Sequence, residues 1–411
     1  LLGELPPNLL KGKSKLNTAY NCFDGCTGLI GEIPDNFFEG CTALSNINYF
    51  FKDCSGLTGP IKTNLWTNAV ANKSCNNIVY ANGLFEGCTG LGGDPSNLQE
   101  IPYDFFDKKY RLAEISEMFN NCSNLSFTLS SEWFKDLRQL TKMNYLFSNC
   151  QGLSGVIPEK LFVTLDAEGN EMTSTLLEAA GMFRYCRQLS GRIPEDLFQK
   201  FLNVRKLDDF FDTCYHIEGG IPAGLFSQCY NVVSMNNMFS NACKVGEYEE
   251  NLSTEYPWAL PPDLFDSCVN LQSTSYMFEM WDGHGTSLRG ELPPELFKNC
   301  TRLQVTDGMF VACGLLTGGL PNEMFRTNRA LTNVSNMFWA CGGLNGELGA
   351  TLFTNTNNPK ITTFYQTFSG CSKLTGTAPA LWTMFPKATM GLCFNGCSKL
   401  SNYASIPDQW K

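Results

Sequence analysis

One phrase returns along the chain at a nearly constant spacing, and it rules out most folds before any residue is read for chemistry. Between Leu292 and Phe338 the sequence reads LPPELFKNCTRLQVTDGMFVACGLLTGGLPNEMFRTNRALTNVSNMF. Pro293 and Pro321 stand 28 residues apart, and so do Met309 and Met337. The unit is L-x-G-x-(I/L)-P-x-x-(L/M/F)-F-x-x-C-x-x-L, a short spacer, then M-F-x-x-C-x-x-L. A fixed period in this range belongs to a solenoid, in which each repeat buries its apolar side against the next.

The Phe opening the second half-unit recurs at Phe23, Phe51, Phe85, Phe119, Phe147, Phe183, Phe211, Phe239, Phe278, Phe310, Phe338, Phe368 and Phe394. Most are followed after three residues by Cys and after six by Leu, as in Phe119, Cys122 and Leu125. Spacings of three place these side chains on one face of a short helical or 3-10 arc, pointing inward. The other corner carries proline, as in Ile157-Pro158, Ile193-Pro194 and Leu320-Pro321. The L-(T/S)-G-x-(I/L) before it alternates as a short strand does, and proline then ends the strand and opens a helical turn. The expectation is one right-handed solenoid over residues 1–411, with roughly thirteen or fourteen coils, short parallel strands and short arcs.

The phrases VTDGMFVACGLLTG, NVSNMFWACGGLNG and MNYLFSNCQGLSG resemble the BspA-like leucine-rich repeats. They look most like the N-V-T-x-M-x-x-M-F-x-x-C-x-x-L type of bacterial surface proteins and lipoproteins. The resemblance runs along essentially the whole chain. It implies a bacterial protein that is secreted or held at the cell surface and that adheres to a protein or glycan on a host or neighbouring cell. Two rival readings are a glycan-binding accessory subunit of an outer-membrane uptake complex and a phage or appendage fibre module. Additional F-x-x-C arcs at Cys41, Cys229, Cys268 and Cys300 depart from the family pattern.

Nineteen cysteines with only His216 and His284 give common zinc sites little to work with, and no C-x-x-C occurs. Equivalent positions in neighbouring coils make the recurring cysteines a ladder of small buried groups. Cys22, Cys75, Cys243 and Cys393 fall off that pattern and are the candidates for exposed thiols or bridges. No G-x-S-x-G, H-E-x-x-H or phosphate-cradling glycine loop is present. No catalytic residue, cofactor or metal is therefore assigned. A net charge of −10 argues against nucleic acid as a partner, and no run of 18 apolar residues provides a membrane span. The chain begins and ends inside repeats, so it reads as a segment of a longer one, with any anchor lying outside it.

Insertions into the repeat are where a solenoid gains function without disturbing its core. They fall at 67–80, 92–100, 163–178, 244–258, 279–289 and 354–362. DAEGNE at 166–171 loosely resembles a calcium loop but lacks the EF-hand pattern and reads as a solvated turn. The insertions at 244–258 and 279–289 stand in consecutive coils and should emerge side by side. They would bring Tyr248, Tyr256, Trp258, Trp281 and His284 onto one rim with Glu247, Glu249 and Glu250. Rigid aromatics beside charge are what a partner-binding hot spot requires.

Overall fold

A computed structural model describes residues 1–66, 74–94, 96–242, 259–280 and 288–411. Contacts divide the chain into two compact units, Leu1–Ser190 and Gly191–Lys411, and each is a stack of solenoid coils. Two parallel ladders tie the coils together. The first is built from the L-x-G phrase. In the first unit β1 (Leu2–Glu4) pairs with β2 (Gly28–Glu32), and β2 with β3 (Leu57–Thr58). Further along, β4 (Phe127–Thr128) pairs with β5 (Leu153–Val156). In the second unit Glu347–Leu348 pairs with Thr375–Gly376 in the same sense.

The second ladder lies five residues before each recurring Phe. Thr18, Asn46, Tyr80, Glu114, Lys142 and Glu178 join successive coils of the first unit by parallel bridges. Lys206, Ser234, Ser273, Val305, Asn333, Thr363 and Thr389 do so in the second. From each bridge the chain keeps donating alternate amides to the next coil. Ala19, Asn21, Phe23 and Gly25 donate to the carbonyls of Asn46, Asn48, Phe50 and Lys52 at 2.8–2.9 Å.

The expected short helical or 3-10 arcs take the tighter form, as single i→i+3 turns. Cys26 N donates to Phe23 O at 3.0 Å and Leu29 N to Cys26 O at 3.1 Å. At the other corner Leu197 N donates to Pro194 O at 3.2 Å. The physical reason lies two residues to either side of Phe, where the backbone turns left-handed and stops a helix from propagating. Tyr49 and Asp53 around Phe51 both have φ 55°, and Asn336 and Ala340 around Phe338 have 54° and 59°. The only α-helix among the described residues is Leu381–Met384.

Phe forms the core as a column of parallel rings. Phe51 and Phe85 lie 5.9 Å apart at 5°, and Phe119 and Phe147 5.7 Å apart at 10°. The second unit repeats this with Phe310 and Phe338 at 5.5 Å and 5°, beside a second column that includes Phe297 and Phe325 at 5.3 Å and 12°. Burying each ring contributes about 1.5–3 kcal/mol. Trp66 and Trp133 are core residues at the proline corner, as their position in the repeat requires, whereas Trp382 is only half-buried. At the far end the ring of Trp410 is fully buried, 6.3 Å from Phe394, and its carbonyl accepts from Phe394 N.

All described cysteines are free thiols. Their ladder is a set of hydrogen bonds as well as a packing column, because many of the recurring thiols donate to the Phe carbonyl of the preceding coil. Cys88 Sγ reaches Phe51 O at 2.9 Å, Cys122 reaches Phe85 O at 3.0 Å and Cys341 reaches Phe310 O at 2.9 Å. Cys75, expected off-pattern, is fully buried and bonds Phe38 O at 2.9 Å, continuing a second thiol column from Cys41. Cys393 is buried too, while Cys22 is exposed. Cys243 lies outside the described residues.

Candidate binding face

The face beside the second ladder carries a regular display of side chains on each unit. Alternate amides point along the stack to the next coil, which leaves the amide three residues before Phe without a backbone acceptor. An asparagine or aspartate side chain in the preceding coil supplies one. Asn48 Oδ1 accepts from Asn82 N, and Asn82 Oδ1 from Ser116 N, both at 2.8 Å. In the second unit Asp208 Oδ1 accepts from Asn236 N at 2.7 Å and Asn236 Oδ1 from Ser275 N at 2.8 Å. These groups are spent inside the fold.

The neighbouring column, two residues before Phe, is free to face outward. It carries tyrosine in some coils and glycine in the coil that follows. Tyr49 lies over Gly83 and Tyr145 over Gly181 in the first unit, and Tyr276 lies over Gly308 in the second. A Cβ at any of these glycines would run into the ring, and all three have φ between 56° and 64°. In the adjacent register, three residues before Phe368 and Phe394, Tyr365 is 42% exposed and rests on Gly391 with ring carbons 3.5–3.6 Å from the Cβ position. Backbone therefore covers one side of each ring while the ring remains partly open to solvent. This holds the aromatic surface in place at little entropic cost when a partner binds.

Charge on the two units is arranged differently. In the first, Lys52 pairs with Glu86 at 3.0 Å and stands 5.2 Å from the Tyr49 ring, while Lys142 pairs with Glu114 at 3.2 Å. Burial and the nearby Glu117 and Glu86 carboxylates push the Tyr49 phenol up. In the second, Asp307 accepts from Asn336 Nδ2 at 3.0 Å and Asp208 from Ser234 Oγ at 2.6 Å. Burial, then the negative charge of Asp212, then that of Asp307, push Glu279 up to about 7 despite a hydrogen bond from Ser240. Near neutral pH this carboxyl is divided between its two forms and can donate as well as accept.

The eight residues expected to form a docking rim, Tyr248, Tyr256, Trp258, Trp281, His284, Glu247, Glu249 and Glu250, lie outside the described residues. Of the other insertions, 163–178 closes as an antiparallel hairpin of Thr164–Leu165 on Glu171–Met172. Asp166 organises its turn by accepting from Glu168 N at 2.9 Å and Asn170 N at 2.8 Å. Its carboxylate is therefore used within the turn. The tyrosines of the ladder face were missed in the sequence, although a signal existed: Tyr two places before Phe in one unit and Gly at the same place in the next.

Residues 46–160 and, overlapping them, 106–218 match a family described as "Mycoplasma protein of unknown function, DUF285". No curated protein matches the chain. Among solved structures, a leucine-rich repeat protein from Bacteroides ovatus is 15% identical, with a TM-score of 0.34 over 94% of this chain and 91% of that one. A leucine rich cell surface protein from Faecalibacterium prausnitzii is 14% identical, with a TM-score of 0.37 over 84% and 80%. The Arabidopsis receptor kinase HAESA, solved with the peptide hormone IDA and the co-receptor SERK1, is 14% identical, with a TM-score of 0.35 over 88% and 59%. The solenoid assignment rests on the two ladders described above.

Proposed function

We propose that the protein is a non-catalytic recognition protein of the cell exterior, which holds a protein or glycan partner against its ladder face and inserted loops. The observation that carries this reading is the seating of Tyr49 on Gly83, repeated at Tyr145 and Tyr276. Interior-quality packing beneath an outward ring is costly to maintain unless the ring is used. Fixed aromatics ringed by amides and carboxylates are the anchors on which interfaces concentrate their energy. Residues 244–258 and 279–289, with their tyrosines, tryptophans and glutamates, would extend the contact. Free thiols suit an oxidising exterior only when they are inaccessible, and the thiol ladder is buried.

The test is binding of the labelled chain to immobilised fibronectin, collagen and laminin and to an array of host-type glycans. Two variants accompany it, Tyr49→Ala with Tyr145→Ala, and one with both loops shortened to the repeat. The reading expects at least one probe to be bound and both variants to weaken that binding while remaining folded. Binding to none of the probes, or equal binding by the parent and both variants, would reject it.

A further inference from the structure

The first unit carries a cleft that the ladder face does not include. It is an open depression of about 320 Å³ on the proline side of the coils, between the insertion at 92–100 and the segment 128–131. This is near the lower end of the range for small-molecule sites, roughly 300–1,000 Å³. Leu98 and Gln99 form one wall, Thr128 and Ser131 the other, with Tyr103 at the mouth and Trp133 in the lining.

The walls are fixed in place. Thr128 N donates to Leu98 O at 3.2 Å, and Gln99 pairs with Phe127 in an antiparallel bridge. Glu100, 1% exposed, turns its carboxylate inward to take Asp94 N at 3.0 Å and Ser126 N at 2.5 Å. That bond set ties the start of the insertion to its end and its end to Ser126 of the following coil. Trp133 is 1% exposed and its Nε1 donates to Pro102 O at 2.9 Å, which fixes the indole.

Two features of the lining select the ligand. First, no Lys, Arg, Asp, Glu or His lines the cleft among the described residues, so an ionic ligand would lose water without gaining a counter-charge. Second, the hydroxyls of Thr128, Ser131 and Tyr103 and the amide of Gln99 have no hydrogen-bond partner among the described residues. These groups face solvent in the free protein, so a purely apolar ligand would displace their water without replacing its hydrogen bonds. Beside them Leu98 is 45% exposed and Tyr103 61% exposed, an apolar edge next to a polar wall. A pyranose ring has the matching shape, with a C–H face for Tyr103 and Leu98 and a rim of hydroxyls for the other wall.

We infer that this cleft is a binding site for a neutral saccharide, taking one or two sugar residues with the ring stacked on Tyr103. The site is separate from the ladder face, so it stands whether or not that face binds a protein.

The experiment is saturation-transfer NMR and titration calorimetry on the full chain. The probes are methyl glycosides of glucose, galactose, mannose and N-acetylglucosamine, together with maltose, lactose and glucuronic acid. At least one neutral sugar is expected to bind with millimolar affinity, and glucuronic acid is expected not to. Tyr103→Ala should weaken the bound sugar at least about tenfold, and Ser131→Val with Thr128→Val should do the same. Tyr365→Ala, in the other unit, should leave it unchanged. Because Tyr103 and Ser131 are exposed, their variants should keep the parent's circular dichroism and melting point. The inference is overturned if no neutral sugar binds or if Tyr103→Ala binds the sugar like the parent. It is also overturned if a neutral Gly-Ser peptide binds the cleft and no sugar competes it off.

Discussion

The ammonium of Lys109 donates to the carbonyl of Trp66 at 3.3 Å, the kind of acceptor that a thiol takes one coil earlier, where Cys75 donates to Phe38 O. Phe106-x-x-Lys109 is the local form of Phe-x-x-Cys, so a lysine fills a slot cut for a sulfur. It is 1% exposed, held by Trp66 O and by Asn76 Oδ1 at 3.3 Å, with Nζ 5.7 Å from the Trp66 ring centroid. Burial lowers its pKa to about 8.

A folded pKa below the unfolded value means the penalty is fully present below about 8 and fades as pH rises toward the ordinary lysine range. Lys109→Met removes the buried charge. The variant is expected to be at least as stable as the parent at pH 7, since replacing a buried charge with a well-packed apolar group is often neutral or stabilising. The parent should then recover by about 3 kcal/mol relative to it between roughly pH 8 and 10.5. Urea denaturation of both proteins at pH 7 and pH 10 checks this. A gap that does not move with pH would show that Lys109 keeps its ordinary pKa in the folded chain, so that burial does not penalise its charge.

The thiol ladder predicts an order of modification. Burial pushes Cys54 and Cys75 up to about 12 and holds Cys88, Cys122, Cys150 and Cys371 well above the ordinary thiol range. A brief pulse of iodoacetamide on the native chain, mapped by mass spectrometry, should label Cys22 first and leave these six unmodified until urea unfolds the coils. Early labelling of Cys88 or Cys122 would mean that the coils open locally.

How much of this could be read from the sequence divides along a physical line. The inward columns were legible, because a Phe or Cys must recur at a fixed spacing to stack, and Phe23 through Phe394 do. The strands were legible from L-x-G-x-I, as Gly28–Glu32 and Gln188–Arg192 show. What hid was the left-handed backbone beside each Phe. Tyr49, Glu117 and Ala340 occupy that conformation, and none of them announces it as Asn or Gly would. Missing it left the arcs open between helical and 3-10 forms and concealed the outward tyrosines. Similarly, Cys75 looked irregular because the insertion before it displaced it in the sequence while the coil kept its place in space.

Gly83 and Gly308 should be intolerant of a methyl group for a reason other than core packing. Alanine there would meet the rings of Tyr49 and Tyr276 and must also hold a positive φ. Gly83→Ala and Gly308→Ala are each expected to cost about 1–3 kcal/mol. In the double variant Tyr49→Ala with Gly83→Ala the steric part of the loss should be recovered. A double-mutant cycle in urea measures the coupling, and simple additivity would dismiss the contact.

The opposite substitution should help where no ring intervenes. Ala340 has φ 59° two residues after Phe338, at the place where Gly370 and Gly396 sit in the following coils. Ala340→Gly relieves a left-handed alanine and is expected to stabilise the protein by about 1 kcal/mol. The larger entropy of glycine in the unfolded chain offsets part of that gain. The urea midpoint should rise with an unchanged m-value. A fall in the midpoint would mean that the Ala340 methyl contributes more through contacts than its conformation costs.

Glu279 ties the ladder face to pH. Its folded pKa of about 7 lies above the value of an unfolded glutamate, so the native state holds its proton longer than the unfolded one. Stability should therefore be greatest below the unfolded value and fall as pH rises from about 4.5 through about 7. Burial pushes Asp208 up as well, so it acts in the same direction. Because the Glu279 carboxyl is only partly buried, solvent screening should reduce its share to about 1 kcal/mol. Glu279→Gln keeps a neutral polar group in the place of the protonated acid and should remove that share of the decline. The measurement is the stability of parent and variant at pH 5 and pH 8. Parallel losses in both would show that the raised carboxyl lies elsewhere, whereas a flatter variant locates it beside Asp212 and Asp307.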